Sequence, residues 1–259
     1  MDKASMSGIV VAGGGLILGL TLEGGKIDQI LQPTAALIVF GGTLGAILLQ
    51  FPLAVVQSAV VSLSLVFLTR SAHPAETVKE IVGYAQKARK EGIVSLDREL
   101  ESISDPFLRK SLMLAVDGTE PSELRKIMQL ELQSRAEHGE NIPRVFEAAG
   151  GFSPTIGIIG AVLGLIQVMQ HLDNIGEVGK GIAVAFVATI YGVGLANLLL
   201  LPIAGKLRIR QSEELLHQEI MLEGVVSILE GMNPRMLETK LASFLAREDR
   251  AKIGSVAAT

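Results

Sequence analysis

The sequence predicts an all-α, polytopic membrane protein with four transmembrane helices and a helical cytoplasmic domain. Three observations carry this. Between Glu147 and Asp173, and again between Lys180 and Lys206, no residue bears a formal charge, and each run is long enough for a hydrocarbon core that needs about 20 apolar residues. Two further charge-free runs lie near the N-terminus, at residues 4–22 and between Asp28 and Arg70. With 49% hydrophobic and 19% charged residues and a mean hydropathy of +0.45, the chain is too apolar for an ordinary soluble domain and too polar to lie wholly in lipid. It must divide between the two media.

Composition also excludes functions. A formal net charge of -4 offers no basic surface for counterion release, so no nucleic-acid partner is expected. There are no cysteines, which removes disulfides, thiolate metal sites and a thiol nucleophile. His73, His138, His171 and His217 are scattered, with no pair at ligand spacing, so neither a metal nor a cofactor is expected. No nucleophile, general base or phosphate-binding loop stands out, and no catalytic residue is assigned.

Taken in order, residues 4–22 form the first membrane helix. They lack a basic leader and a small-residue cleavage site, so the segment reads as retained and not as a signal peptide. A loop of about ten residues, Glu23 to Gln32, turns the chain into a hairpin, and Pro33 suits the first turn of a second helix ending near Gln50. Pro52 then redirects an apolar segment to Leu68 that leaves the bilayer or lies along it. These residues make up a first region, 1–69. The second, 70–147, holds 12 of the 23 basic residues and is patterned as helix throughout: one helix after Pro74, a second capped by Ser95, a third opened by Pro121. The third and fourth membrane helices fill 148–205. From Lys206 the fourth continues as an amphipathic helix broken at Gly231, Asn233 and Pro234, followed by a last helix to about Lys252 and a tail, GSVAAT. The two short loops hold one Lys each, so the positive-inside rule places 70–147, the C-terminal region and both termini in the cytoplasm.

The third and fourth membrane helices share a pattern. Gly157, Ala161 and Gly164 follow Pro154 at steps of three and four, and Ala185, Thr189, Gly192 and Ala196 do likewise, which puts each set on one helical face. Small residues let another backbone approach closely, which is how helices associate in lipid. The spacing allows the two faces to pack on each other or on another chain. Pro154 and Pro202 each withdraw a backbone N–H from their helix. No span contains an ionisable residue at depth; the polar groups there are Thr155, Gln167, Thr189, Tyr191 and Asn197. If the protein handles ions, a partner supplies the carboxylate.

EGG at Glu23 to Gly25, AALIVFGGTLGAILLQFP, ARKEGIVSLDRELE, FSPTIGIIGAVLGLI and ATIYGVGLANLLLLPIAGKL, in this order and at these separations, resemble the flagellar stator A-subunit family, MotA and PomA. The resemblance covers nearly the whole chain. It implies a ring of five such subunits in the bacterial inner membrane around a dimer of a single-span MotB- or PomB-like subunit that bears an ion-binding Asp, with a cytoplasmic face that drives the rotor protein FliG. Carried over by position, Pro154 and Pro202 match the family's two functional prolines, Thr189 its fourth-helix threonine near the ion path, Arg89 its rotor-facing arginine and Asp97 its rotor-facing acid. Tyr191 and Ala161 join the ion-path set, and Gly157, Gly164 and Gly192 the packing set. Arg89 and Asp97 also suit a second reading, charges placed to complement helix dipoles. The related ExbB and TolQ subunits, which energise outer-membrane partners, have three crossings and lack the N-terminal hairpin. A passive scaffold leaves Thr189 and the prolines without purpose. Sodium-type members carry a threonine where this chain has Ala161, and some carry a second hydroxyl where it has Ala188, so protons are the expected ion and Na⁺ the alternative.

Overall fold

The computed structural model describes residues 2–67, 74–245 and 249–250, and among these it contains helices and turns but no strand. The tail, the end of the expected last helix and Arg70 fall outside the described residues. The chain forms two compact units: Met1–Arg70 with Gly139–Ile209, and Ser71–His138 with Arg210–Thr259.

In the first unit, α1 (Lys3–Leu22) is capped by Asp2, whose carboxylate accepts the Ala4 N–H at 3.0 Å. Helix α2 starts at Pro33, runs as Pro33–Ala36 into a π turn at Leu37–Gly41 and continues as Gly42–Gln50. The π turn has a packing consequence. Ala35, Val39, Thr43 and Ile47 recur every four residues, a spacing that drifts round an α-helix of 3.6 residues per turn, and the wider turn holds all four on one buried face. Helix α3 (Leu53–Phe67) is too short to cross; it buries Val56, Ala59, Ser62 and Val66 and exposes Val60 and Val61. Its buried face joins Ile47, Val145, Phe146, Ala149, Ala204 and Leu207 in one apolar cluster.

Thr43 is the polar exception on the buried face of α2. Its Oγ1 is buried and has no hydrogen-bond partner among the described residues. An unmade hydrogen bond leaves only the desolvation cost. Thr43→Val, which keeps the shape and removes the hydroxyl, is therefore expected to stabilise the subunit by about 1 kcal/mol, read as a rise in the unfolding midpoint in detergent; a fall would show that the hydroxyl has a partner.

Helix α1 buries no residue. Its N-terminal end is instead tied down by polar contacts: the Asp2 carboxylate pairs with the Lys206 ammonium, the Asp2 N–H donates to Phe67 O at 2.8 Å, and Lys206 Nζ reaches Ser5 Oγ at 2.7 Å. The hydrogen bond from Lys206 is the main cause that pulls the Asp2 carboxyl down to about 2. A carboxyl depressed in the fold contributes stability above its ordinary value near 4 and loses it as pH falls through 2. The tether is expected to hold at pH 5 and to release only between pH 4 and 2, whereas Lys206→Met should free the end of α1 at every pH, as read by hydrogen exchange at residues 4–8.

The second unit contains α4 (Pro74–Glu91), a 3₁₀ segment at Ile93–Glu99 and α5 (Pro106–Val116). Its core gathers Ile81, Leu96, Phe107, Leu112, Ile220, Leu222 and Leu241. Ser95 does not cap a helix as its sequence position suggests: its hydroxyl donates to Gly92 O at 2.7 Å and closes a turn. The cap is Asp105, which accepts from Phe107 N at 2.8 Å and Leu108 N at 3.0 Å. A last helix, α8 (Pro234–Ala242), is capped by Asn233.

Two long helices contribute to both units. The residues expected as one helix after Pro121 and a separate third membrane helix form a single helix, α6 (Pro121–Gln170), so Pro154 sits well inside a helix and not in its first turns. Glu131–Arg135 at 2.6 Å and Glu140–Arg144 at 3.0 Å are i, i+4 pairs that support the polar stretch, and burial of Val145, Phe146 and Ala149 holds the helix past Pro143. The fourth membrane helix also runs on past the membrane segment: α7 spans Ile175–Leu229, with a π turn at Ala196–Leu200. The helices α1, α2, α6 and α7 are the four long and apolar enough to cross a membrane.

Candidate ion-path and torque-contact sites

The small-residue faces of the third and fourth membrane helices meet each other within the chain. A Cβ added at Gly157 would lie 2.8 Å from Ala188 O and 3.2 Å from the Gly192 Cα; one at Gly164 would lie 2.8 Å from Gly181 O and 2.9 Å from Ala185 N. At Gly192 it would lie 2.6 Å from Ser153 O and 3.1 Å from the Gly157 Cα. Backbone touches backbone along this seam, and Ser153 Oγ ties it with a hydrogen bond to Gly192 O at 3.0 Å. Gly160 and Gly181 belong to it as well, through Ala188 and through Gly164 and Val168. They continue the same three-and-four spacing, so the signal that singles out Gly157 and Gly192 would have found them.

Helix α2 covers one flank of the seam. A Cβ at Gly160 would also touch Ile38, one at Gly42 would meet Ile156, and Val184, Val187, Ala188 and Tyr191 of α7 pack with Ala35 and Val39. Pro154 and Ala161 lie on the other side of the Gly157–Gly164 line, and Thr189 lies on the other side of the Ala185–Gly192 line. The structure therefore brings Pro154, Ala161 and Thr189 together on the flank opposite α2. All three are partly exposed there, beside the exposed apolar side chains of Ile158, Leu165 and Val193. The Thr189 hydroxyl donates to Ala185 O at 3.2 Å, which leaves its oxygen lone pairs outward.

Tyr191 faces elsewhere. Its hydroxyl donates to Ile30 O and accepts from Gln32 N at 3.3 Å, and its ring stacks on Phe40 with centroids 5.9 Å apart. It pins the loop where the chain enters α2, on the flank away from Thr189. Pro202 is exposed and follows the π turn at Ala196–Leu200. A proline inside a helix can neither donate to the carbonyl four residues back nor fit beneath it, and a wide turn just ahead of it relieves both problems. Leu201, next to Pro202, packs on Gly150, whose carbonyl loses its helical donor to Pro154.

Arg89 and Asp97 lie in the second unit on either side of Gly92. Gly92 has φ +83° and ψ 160°, a conformation that side chains resist, and so it ends α4 and sets the angle between the two charges. Both residues are exposed, and among the described residues neither has an ion-pair partner, whereas Lys87 and Glu99 beside them pair with each other. Arg89 stands in the last turn of α4, where a helix dipole favours a cation. Asp97 stands late in the 3₁₀ segment, outside its first turn, so the dipole of its own helix accounts for Arg89 alone.

This arrangement defines a class: a polytopic helical membrane subunit whose flank at Pro154, Ala161 and Thr189 bears one hydroxyl and no charged side chain. Residues 99–220 match the MotA/TolQ/ExbB proton channel family, and residues 6–92 match the motility protein A N-terminal region. The motility protein A of Bacillus subtilis is 35% identical over 256 residues, which cover 97% of this chain and 94% of that protein. The chain superposes on the structure of C. jejuni MotAB with a TM-score of 0.90 at 30% identity, covering 95% of this chain and 97% of the other. The flagellar MotAB stator complex from B. subtilis gives a TM-score of 0.88 at 34% identity, with 96% and 99% covered. The chain belongs to the motility protein A branch of the MotA/TolQ/ExbB proton channel family.

Proposed function

We propose that this chain is the ion-conducting stator subunit of a bacterial flagellar motor, coupling proton flow to torque on the rotor, and that it is not an enzyme. The observation that carries the reading is the flank that holds Pro154, Ala161 and Thr189. It is polar at Thr189 and weakened in its backbone at Pro154, and it contains no group that could itself hold a proton. A chain built this way needs a second membrane helix with a carboxylate laid against that flank. The MotB-like single-span subunit, as a dimer inside a homopentamer of this chain, supplies that Asp. Solved relatives that assemble as MotAB support this pairing, and the N-terminal hairpin favours a stator over an ExbB- or TolQ-like subunit. The complex sits in the inner membrane, with the second unit and both termini in the cytoplasm, where Arg89 and Asp97 meet FliG.

The ion is a proton. Na⁺ must exchange its water shell for protein oxygens, whereas a proton can sit on the partner's carboxylate as a covalent O–H bond. Ala161 offers no hydroxyl on this flank and Ala188, buried against α2, offers none to it either, so of Pro154, Ala161 and Thr189 only Thr189 bears a hydroxyl. Motor speed is expected to be unchanged when external Na⁺ is varied at fixed proton motive force and to collapse when the proton gradient is removed. Speed that tracks Na⁺ and vanishes without it would overturn the proton assignment.

A further inference from the structure

Thr189 is not the only polar group on its ridge. Thr189, Val193 and Asn197 recur every four residues along α7, and such an i±4 row is one of the ridges along which a neighbouring helix lies when two helices cross at a small angle. A partner helix laid against Thr189 therefore also meets Asn197. Asn197 is exposed and lies nine residues before Lys206, so its amide stands in the hydrocarbon zone, where a bare polar group is costly. Its side chain is also oriented. Nδ2 donates one of its two N–H groups to Val193 O at 2.9 Å, within the helix at the start of the π turn, and the carbonyl Oδ1 accepts from no group among the described residues, so it is free as an acceptor. The Thr189 hydroxyl is arranged the same way, its proton given to Ala185 O and its lone pairs outward.

We propose that Asn197 Oδ1 is a second oxygen station of the ion path, on the Lys206 side of Thr189, which solvates the cation or its water after it leaves the partner's carboxylate. The inference rests on the stator reading above. Eight residues separate the two oxygens, about 12 Å along the helix, too far for one bare ion to touch both. They act in sequence, as steps on a path. An amide oxygen is a neutral dipole with no proton to lose, so it can ease a cation's passage without trapping it.

The test uses the complex of this chain with its single-span partner, reconstituted in vesicles carrying a pH-sensitive dye, with cation flux measured and native mass spectrometry used to check assembly. Asn197→Leu removes the amide at similar size and is expected to leave the complex intact and lower flux at least about tenfold. Asn197→Ser is the rescue: a serine hydroxyl can donate to Val193 O and still turn its lone pairs outward, as the Thr189 hydroxyl does, so most of the flux lost in Leu is expected to return. Flux as low in an intact Ser variant as in Leu would overturn the proposal, and full flux in an intact Leu variant would overturn it equally. Absence of flux from the unmodified complex would sink the stator reading itself and this proposal with it.

Discussion

Gly192→Leu is expected to abolish the assembled complex. The first atom of the new side chain would sit 2.6 Å from Ser153 O and 3.1 Å from the Gly157 Cα, and the rest of the leucine would have to occupy the third membrane helix. Neither obstacle is the mobile end of a side chain. Both are backbone, fixed by the helix they belong to, so the only relief is separation of α6 from α7. Separation breaks the Ser153–Gly192 hydrogen bond and exposes every contact along the seam. Overpacking a core typically costs about 1–3 kcal/mol where neighbours can shift, and here they cannot. Gly164→Leu, 2.8 Å from Gly181 O, is expected to behave the same way. Gly194→Leu is the control: nothing lies within 4 Å of a Cβ there. Native mass spectrometry should show the control assembled and the two seam variants absent from the complex. An unchanged complex in Gly192→Leu would mean that the seam can open without loss.

Arg89→Glu is expected to stop rotation while leaving the complex assembled. Arg89 is exposed and has no ion-pair partner among the described residues, so reversing its charge breaks nothing in its own chain beyond a helix-dipole contribution of about 0.3–1 kcal/mol. Across a protein interface the same reversal places like charges together, which costs several kcal/mol and rejects the partner. Asp97→Arg should act alike, and a matching reversal on the rotor should restore swimming. Normal swimming by Arg89→Glu would assign Arg89 to the helix dipole and remove it from the torque contact.

What could be read from the sequence follows the range of the forces involved. The four crossings were legible because lipid imposes a length and excludes charge, and Pro33 announced the start of α2 because its missing N–H costs nothing there. The glycine faces were legible as faces, since the period of a helix is local, but their mutual contact was not: spacing says what a surface offers and not what it meets. Ser95 misled because a serine before a helical pattern reads as a cap, while its hydroxyl turns back to Gly92 O and Asp105 does the capping ten residues on. The continuity of α6 through Pro143 and Pro154 was hidden because prolines usually end helices, and here buried neighbours and ion pairs outweigh them. The Asp2–Lys206 tether and the Tyr191 hydroxyl that grips Ile30 join residues far apart in sequence, and no local pattern encodes such a pairing.

The backbone-to-backbone seam has a mechanical meaning. Two helices separated by long side chains have a compliant layer between them, because rotamers can rearrange under load and let one helix slide past the other. Gly157, Gly164, Gly181 and Gly192 leave no such layer. A sideways push on Thr189 or Pro154 is resisted by peptide groups already in contact, so the clasped stretches of α6 and α7 yield as one stiff lever. Compliance is left to the short link between them, residues 171–174, and to the two π turns, which are the places where deflection under torque should concentrate.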